Sequence, residues 1–167
     1  MIKYVDTLIG FIEIPNEITL CINISNCPNH CEGCHSPWLL KDEGIPLTYI
    51  SLKSLIKANK GITCVCFMGG DKEPWEINRL AKLIKEDYNL KVGWYSGKEE
   101  ISEEINLDNF DYIKIGPYKK EFGPLNAPTT NQQLYEIYRC TNGTTILINI
   151  TNYYWKKYDR SKSKRKN

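Results

Sequence analysis

The sequence predicts an α/β fold with a mostly parallel sheet, because β-rich segments alternate with amphipathic segments through most of the chain. The apolar runs end in glycine or other turn residues, and two of them are followed by helical periodicity. Such alternation builds parallel sheets through right-handed crossovers, as an open sheet or a partial barrel. The 167 residues suffice for one domain with its own core and are too few for two ordinary domains.

The first half of the chain supplies two strands and two helices. Residues 17–24 predict a strand that runs into a cysteine-rich loop, and residues 48–59 predict a helix between capping residues. Residues 62–68 are almost continuously apolar, as expected for a strand that is buried on both faces. An apolar stripe along residues 74–88 predicts the second helix.

The second half continues this alternation and then changes character. Residues 91–95 and 112–115 predict two further strands, and a short helix is expected over residues 99–105 between them. Segments 133–139 and 144–150 flank an Asn-Gly turn, which is typical of an antiparallel hairpin. The sequence therefore predicts a parallel sheet that ends in a hairpin.

Loops of glycine and polar residues follow four of the predicted parallel strands. They are the cysteine loop, Gly69-Gly70-Asp71, Ser96-Gly97 and Gly116-Pro117. The carboxyl ends of parallel strands meet at one edge of a sheet, where ligands usually bind. The sequence thus predicts one site assembled from separated segments, although Asp71 has a second interpretation as a cap of the following helix.

Composition and charge indicate the kind of environment in which the protein is expected to function. Hydrophobic residues make up 41% and charged residues 25% of the sequence, and no apolar run reaches the ~18 residues of a membrane span. The first residues lack a signal-peptide pattern, so we expect a cytoplasmic protein with no membrane contact. Seven Lys and Arg residues crowd residues 156–167, which we expect to be a disordered, solvated tail beyond a single domain of residues 1–155. Binding of nucleic acid by this tail is the less favoured interpretation.

The seven cysteines form two groups. Cys27, Cys31 and Cys34 lie within eight residues of one another, whereas four others are scattered through apolar stretches: Cys21, Cys64, Cys66 and Cys140. An odd number of cysteines in such a chain argues against a disulfide framework. The scattered cysteines are expected to be small buried hydrophobes, with two of them on the same side of one strand.

The three clustered thiols predict a metal centre. An iron–sulfur cluster of the [4Fe–4S] type takes one thiolate per iron, so a loop with three cysteines leaves one iron open to a small molecule. An open coordination position distinguishes catalytic from structural metal sites. The alternative is a structural zinc ion that His30 or His35 completes as a Cys3His set, although the second ligand pair usual in zinc modules is missing.

The cysteine spacing, Cys-x3-Cys-x2-Cys, resembles the signature of radical S-adenosylmethionine enzymes. Several neighbouring segments make the chain similar to the activating proteins of anaerobic ribonucleoside-triphosphate reductases, and together they span residues 18–134. These segments are Ile24-Ser25-Asn26-Cys27, Cys31-Glu32-Gly33-Cys34-His35, Met68-Gly69-Gly70-Asp71, Trp94-Tyr95-Ser96-Gly97, Ile115-Gly116-Pro117-Tyr118 and Thr129-Thr130-Asn131-Gln132.

The resemblance implies a partial (β/α) barrel of the radical S-adenosylmethionine type, with Cys27, Cys31 and Cys34 as ligands of a [4Fe–4S] cluster. It implies that S-adenosylmethionine binds beside the cluster, its adenosine near Gly33, Cys34 and His35. His35 stands where the family often carries tyrosine. Gly69-Gly70-Asp71 is implied to hold the methionyl end, which agrees with the close backbone approach that glycine allows.

The implied chemistry is electron transfer to S-adenosylmethionine, which yields methionine and a 5′-deoxyadenosyl radical. The resemblance implies that the radical acts on a backbone glycine of an anaerobic (class III) ribonucleotide reductase. The chain is short for enclosing a small substrate, which agrees with a protein as the target. A low-potential donor such as flavodoxin is the expected electron source. The alternatives are activation of another glycyl-radical enzyme, a small radical enzyme acting on a nucleobase precursor, and a non-catalytic iron–sulfur or zinc-binding module.

Overall fold

A computed structural model describes residues 1–154, so Trp155 and the predicted tail of residues 156–167 lie outside the described residues. Helices α1 (Tyr49–Ala58) and α2 (Pro74–Asp87) accompany one eight-stranded sheet. The strands are β1 (Lys3–Gly10), β2 (Thr19–Ile24), β3 (Ile45–Pro46), β4 (Cys64–Met68), β5 (Lys91–Tyr95), β6 (Tyr112–Ile115), β7 (Gln133–Arg139) and β8 (Thr145–Asn149). The predicted α/β class is confirmed. Neither helix of this part of the chain is long and apolar enough to cross a membrane.

The sheet is mixed, with strand order β3-β1-β2-β4-β5-β6-β7-β8. The four central strands β2, β4, β5 and β6 run parallel, whereas the four flanking strands pair antiparallel. Only three of the seven strand pairings are parallel, so the prediction of a mostly parallel sheet is wrong. Within residues 1–154, strands β3 and β8 form its two edges, and the sheet does not close into a barrel.

Two of the differences from prediction have local physical causes. Strand β1, which was not predicted, has a register shift between Tyr4 and Asp6, and a bulge of this kind breaks the two-residue alternation of a strand. The helix expected over residues 99–105 is wrong, since this segment consists of bends and turns. Four of its residues are glutamates, and Ser102 hydrogen-bonds nearby backbone N–H groups in place of a helical ladder.

The two faces of the sheet carry separate cores. Both helices pack on one face, where their apolar stripes meet alternate residues of the parallel strands, including Phe67 and Trp94. The other face holds a smaller cluster with Cys21, Cys64 and Cys66, all buried. Burial raises the pKa of the Cys21 thiol to about 12, which keeps it protonated. The prediction that these cysteines are buried hydrophobes is confirmed for all three, while Cys140 is only half-buried.

A buried carboxylate joins the amino-terminal ends of the parallel strands. Glu17 accepts hydrogen bonds from Lys91 Nζ at 2.6 Å, from Thr63 Oγ1 at 2.6 Å and from Tyr112 Oη at 3.1 Å. Burial opposes ionisation of Glu17, but the hydrogen bonds from Lys91, Thr63 and Tyr112 prevail and hold its pKa below the ordinary value. This network lies at the edge of the sheet opposite the cysteine loop.

Substitution Glu17→Gln is expected to lower the free energy of unfolding at pH 7 by about 2 kcal/mol, because it leaves partly buried donors without their charged acceptor. A depressed folded-state pKa means that the stabilisation is complete above the unfolded-state pKa, about 4.3, and is lost as the pH falls through the folded-state value. Urea unfolding at pH 7 and at pH 3 should therefore show a difference that shrinks in acid. Glu86→Gln, in an exposed pair with Lys82, is the matched control. An equal effect of both substitutions would contradict this role.

Candidate functional site

Loops at the carboxyl ends of the parallel strands enclose one cavity of about 300 Å³. This volume lies at the lower end of the range for small-ligand pockets, roughly 300–1,000 Å³. The prediction that these loops open on one face is confirmed. The lining residues include Cys27, Asn29, Cys31, Cys34, His35, Gly69, Asp71, Ser96, Gly97, Lys114 and Tyr118.

The cysteine loop follows β2 and adopts a tightly wound backbone. Asn26, His30 and Gly33 have φ values of 61°, 45° and 69°, in the left-handed region that favours glycine and tolerates asparagine and histidine. The Cys27 N–H donates to the Leu39 carbonyl at 2.9 Å, which ties the loop to the chain that follows it. The winding turns all three cysteines toward the cavity.

The three thiols are half-buried, and backbone donors reach two of them. The Ser36 N–H donates to Cys34 Sγ at 3.3 Å, and the Asn29 backbone hydrogen-bonds to Cys27. Burial raises the pKa of the Cys27 thiol, and the nearby Asp71 carboxylate acts in the same direction. A bound metal would offset this penalty, and hydrogen bonds to sulfur are a means by which proteins tune iron–sulfur clusters.

The two predicted metal centres place different demands on the donor residues. A structural zinc ion needs four ligands that converge on one point. The described residues contain no group of three or more His, Cys, Asp or Glu that is placed to hold a metal ion. The thiolates of an iron–sulfur cluster bind different irons and surround a volume instead. Three thiols around one cavity wall fit that requirement in donor type and number.

Asp71 joins three of the loops that form the cavity. Its carboxylate accepts hydrogen bonds from Ser96 Oγ at 2.6 Å, from Asn29 Nδ2 at 2.6 Å and from the Gly97 N–H at 2.8 Å. A carboxylate has about four lone-pair sites, so capacity for one further donor remains. The N-cap of α2 is Glu73, and the interpretation of Asp71 as a helix cap is therefore wrong.

Lys114 is a lining residue that the sequence analysis did not identify. Its side chain is buried on β6 and donates from Nζ to the Gly116 carbonyl at 2.7 Å and to the Ser96 carbonyl at 3.2 Å. Burial lowers the pKa of Lys114 to about 8, although the charge of Asp71 opposes this shift. A lysine within the apolar strand Tyr-Ile-Lys-Ile, directly before a predicted site loop, was the available signal.

The two glycines of Gly69-Gly70-Asp71 have different surroundings. Gly69 lines the cavity with φ +104°, and its carbonyl accepts from Trp94 Nε1 at 2.8 Å. Gly70 is not a lining residue, and a Cβ atom there would lie 2.5 Å from Ile77 Cδ1 of α2. The structure therefore brings Gly69 and Asp71 to the site, while Gly70 allows close packing of the loop on the helix.

Of the residues predicted to contact adenosine, some line the cavity and one does not. His35 lines the rim of the cavity, where its ring centroid lies 4.6 Å from that of Tyr118 with an interplanar angle of 47°. Gly33 is not a lining residue, and its α-carbon faces the side chains of Tyr118 and Lys120. The two rings are tilted and do not form one flat surface, but each presents an aromatic ring at this rim.

Taken together, the cavity presents three thiols and two buried groups of opposite charge. Within residues 1–154, neither Asp71 nor Lys114 forms a salt bridge. Comparisons of the chain with protein-family models, with curated proteins and with solved structures found no match. The chemistry of the site is accordingly inferred from its residues.

Proposed function

We propose that this chain is a radical S-adenosylmethionine enzyme that activates a glycyl-radical protein. The observation that carries the proposal is the combination of three thiols with a buried carboxylate and a buried ammonium group around one cavity. Buried charges are costly unless they are paired, so Asp71 and Lys114 favour a ligand that brings both opposite charges. The amino-acid end of S-adenosylmethionine is such a ligand, since it carries an ammonium and a carboxylate group.

In this proposal Cys27, Cys31 and Cys34 hold a [4Fe–4S] cluster. When bound, the cluster would supply the electron that splits S-adenosylmethionine into methionine and a 5′-deoxyadenosyl radical. Lys114 would bind the methionyl carboxylate, and the remaining lone pair of Asp71 would accept from the ammonium group. His35 and Tyr118 would contact the adenine ring at the rim.

The fold supports this proposal at the level of architecture. Strands β2, β4, β5 and β6 are parallel, with α1 and α2 on one face, and their carboxyl ends carry the whole cavity. We propose that this unit is a partial (β/α) barrel of the radical S-adenosylmethionine type. Four loops that end successive strands allow each part of one ligand to be bound by a different segment.

The proposed partner is an anaerobic (class III) ribonucleotide reductase, whose backbone glycine would be the site of hydrogen abstraction. A flavodoxin-like donor would reduce the cluster, and the free state of all seven cysteines suits a cytoplasmic setting. Gly33 and its neighbours leave the cysteine loop partly exposed, so a protein substrate could cover the cavity from this side.

The experiment combines metal analysis with a direct assay for the product radical. Anaerobic reconstitution of the full chain should give about four irons per chain, one cluster, together with sulfide. Incubation with reductant, S-adenosylmethionine and the reductase from the same source should then produce a glycyl radical, seen by electron paramagnetic resonance. One zinc per chain would overturn the proposed cofactor. A reconstituted cluster that yields 5′-deoxyadenosine but no glycyl radical would overturn only the proposed partner.

A further inference from the structure

Gln132 has a buried side chain with no hydrogen-bond partner among residues 1–154. The residue directly precedes β7, beside the carboxyl end of β6, and is 7% exposed. Its backbone N–H donates to Thr130 Oγ1 at 3.1 Å, whereas its side-chain amide forms no hydrogen bond within the described part of the chain. A Cβ atom at Gly116 would lie 2.9 Å from Gln132 Cα, so the glycine allows this close approach. Buried amide groups are normally paired, and an unpaired one calls for an explanation.

The unpaired amide of Gln132 faces open space and is not sealed in the core. Within residues 1–154, only Thr19 Oγ1 and Asn131 Oδ1 are fully enclosed side-chain atoms without a partner. Both polar atoms of the Gln132 amide are therefore within reach of a water-sized molecule. The space that they reach belongs to the candidate site, because Gln132 lines the cavity that the three cysteines also line.

A groove of about 330 Å³ adjoins this cavity, and Gln132 lines both of them. Asn149 and Asn152 are exposed, so the groove leads from the surface at the end of β8 to the thiols. All six lining side chains are amides or hydroxyls, and we call them the polar groove: Thr130, Gln132, Gln133, Asn149, Thr151 and Asn152.

The side chains of the polar groove indicate the class of ligand. A phosphate or carboxylate ligand would call for a basic side chain, and a divalent metal ion normally takes carboxylate ligands. A nucleobase would call for an aromatic side chain on which to stack. None of the six lining residues is of these types. Amides and hydroxyls both donate and accept, as do the uncharged peptide groups of an extended chain.

The amide of Gln132 is well suited to bind one residue of such a chain. In an extended segment the N–H and C=O groups of one residue point to the same side. A primary amide carries a donor and an acceptor together, so it can bond both of these groups at once. A glycine has no side chain to recognise, and its backbone groups are what an enzyme can bind.

We propose that Gln132 binds the backbone N–H and C=O of the target glycine, while the polar groove holds the extended segment beside it. This inference rests on the proposed function, because it takes a glycine of a protein as the substrate. It adds the residue that positions this glycine at the cavity. It also adds the route of the segment, which passes the start of β7 and the end of β8.

The test compares a peptide of the reductase, centred on the target glycine, with the same peptide carrying N-methylglycine there. Binding is measured with the reconstituted full-length chain and S-adenosylmethionine but without reductant, so that no radical forms. Wild type should prefer the unmodified peptide by about five- to tenfold, since N-methylation removes the N–H that Gln132 binds. Gln132→Met fills a similar space without an amide and should lose this preference. Any steric effect of the methyl group is common to both proteins and cancels in the comparison.

Asn89→Leu is the matched control, because Asn89 is an exposed amide that lines neither the cavity nor the polar groove. This variant should keep the wild-type preference. Gln132→Met should also keep the wild-type affinity for S-adenosylmethionine, and circular dichroism checks that each variant retains the fold.

Three results would overturn the inference. They are no binding of either peptide, the same preference in wild type and Gln132→Met, and a loss in Gln132→Met of affinity for S-adenosylmethionine alone. The last result would place Gln132 at the cofactor. The proposed function fails separately, through absence of the cluster or of a glycyl radical on the intact reductase. A glycyl radical together with any of the three results would remove only the role of Gln132.

Discussion

Replacement of Cys31 by alanine is expected to abolish cleavage of S-adenosylmethionine, with a loss of more than about 100-fold. Loss of an outer-shell partner of a metal ligand typically costs 10–100-fold, and loss of a ligand itself should cost more. The loop offers only three thiols, so it holds no fourth cysteine that could replace Cys31 as a cluster ligand. Iron and sulfide content after anaerobic reconstitution, together with release of 5′-deoxyadenosine, measures the effect.

Cys140→Ser provides the matched control for this experiment. Cys140 is also a half-buried free cysteine, but it follows β7 and does not line the cavity. Its replacement should leave iron content and cleavage near the wild-type values. Equal loss of iron in both variants would mean that the cluster is not held by the cysteine loop. Retention of iron by Cys31→Ala with loss of cleavage would instead point to an alternative ligand.

The sequence predicted the central part of the fold because the signals there are local. The apolar run before Gly69 is short and almost continuous, as in a buried strand, and the stripe along α2 fits the helical period; both elements are present in the structure. Strand β1 was missed because its bulge at Tyr4 interrupts the alternation. The antiparallel hairpin of β7 and β8 was predicted from its Asn-Gly turn and is confirmed. The antiparallel pairs of β1 with β2 and with β3 were not predicted, because β1 itself was missed.

The sequence predicted those residues of the candidate site that form a short motif within one loop. It did not predict single residues that the fold brings to the cavity from different strands and loops. The cysteine loop and Gly69-Gly70-Asp71 were identified from short motifs, and the cavity contains most of their residues. Lys114 and Asn29 belong to no motif. They were missed because only the folded chain brings Asn29 into a hydrogen bond with Asp71 and Lys114 near the charge of Asp71. Gly70 was predicted from the motif as a site residue, but it lies outside the cavity and allows the loop to pack closely on α2.

The buried ammonium group yields the second prediction of large effect. Lys114→Met should weaken binding of S-adenosylmethionine to the reconstituted protein by about 10–100-fold, because a hydrogen bond to a charged group contributes roughly 1.5–3 kcal/mol. Methionine has a similar length and keeps the position filled, so the cluster should still assemble. Equilibrium binding and the iron content of the same samples separate the two effects.

A change in the ligand tests whether Lys114 acts on the carboxylate or only supports the loops. Its bonds to the Ser96 and Gly116 carbonyls give it a structural role as well, and Lys114→Met removes both functions. Decarboxylated S-adenosylmethionine lacks only the group that the ammonium is proposed to bind. Wild type and Lys114→Met should therefore bind this analogue with nearly equal affinity, because the pairwise interaction is absent from both complexes. An equal loss of affinity for both ligands would show that Lys114 shapes the cavity through its carbonyl contacts and does not recognise the carboxylate.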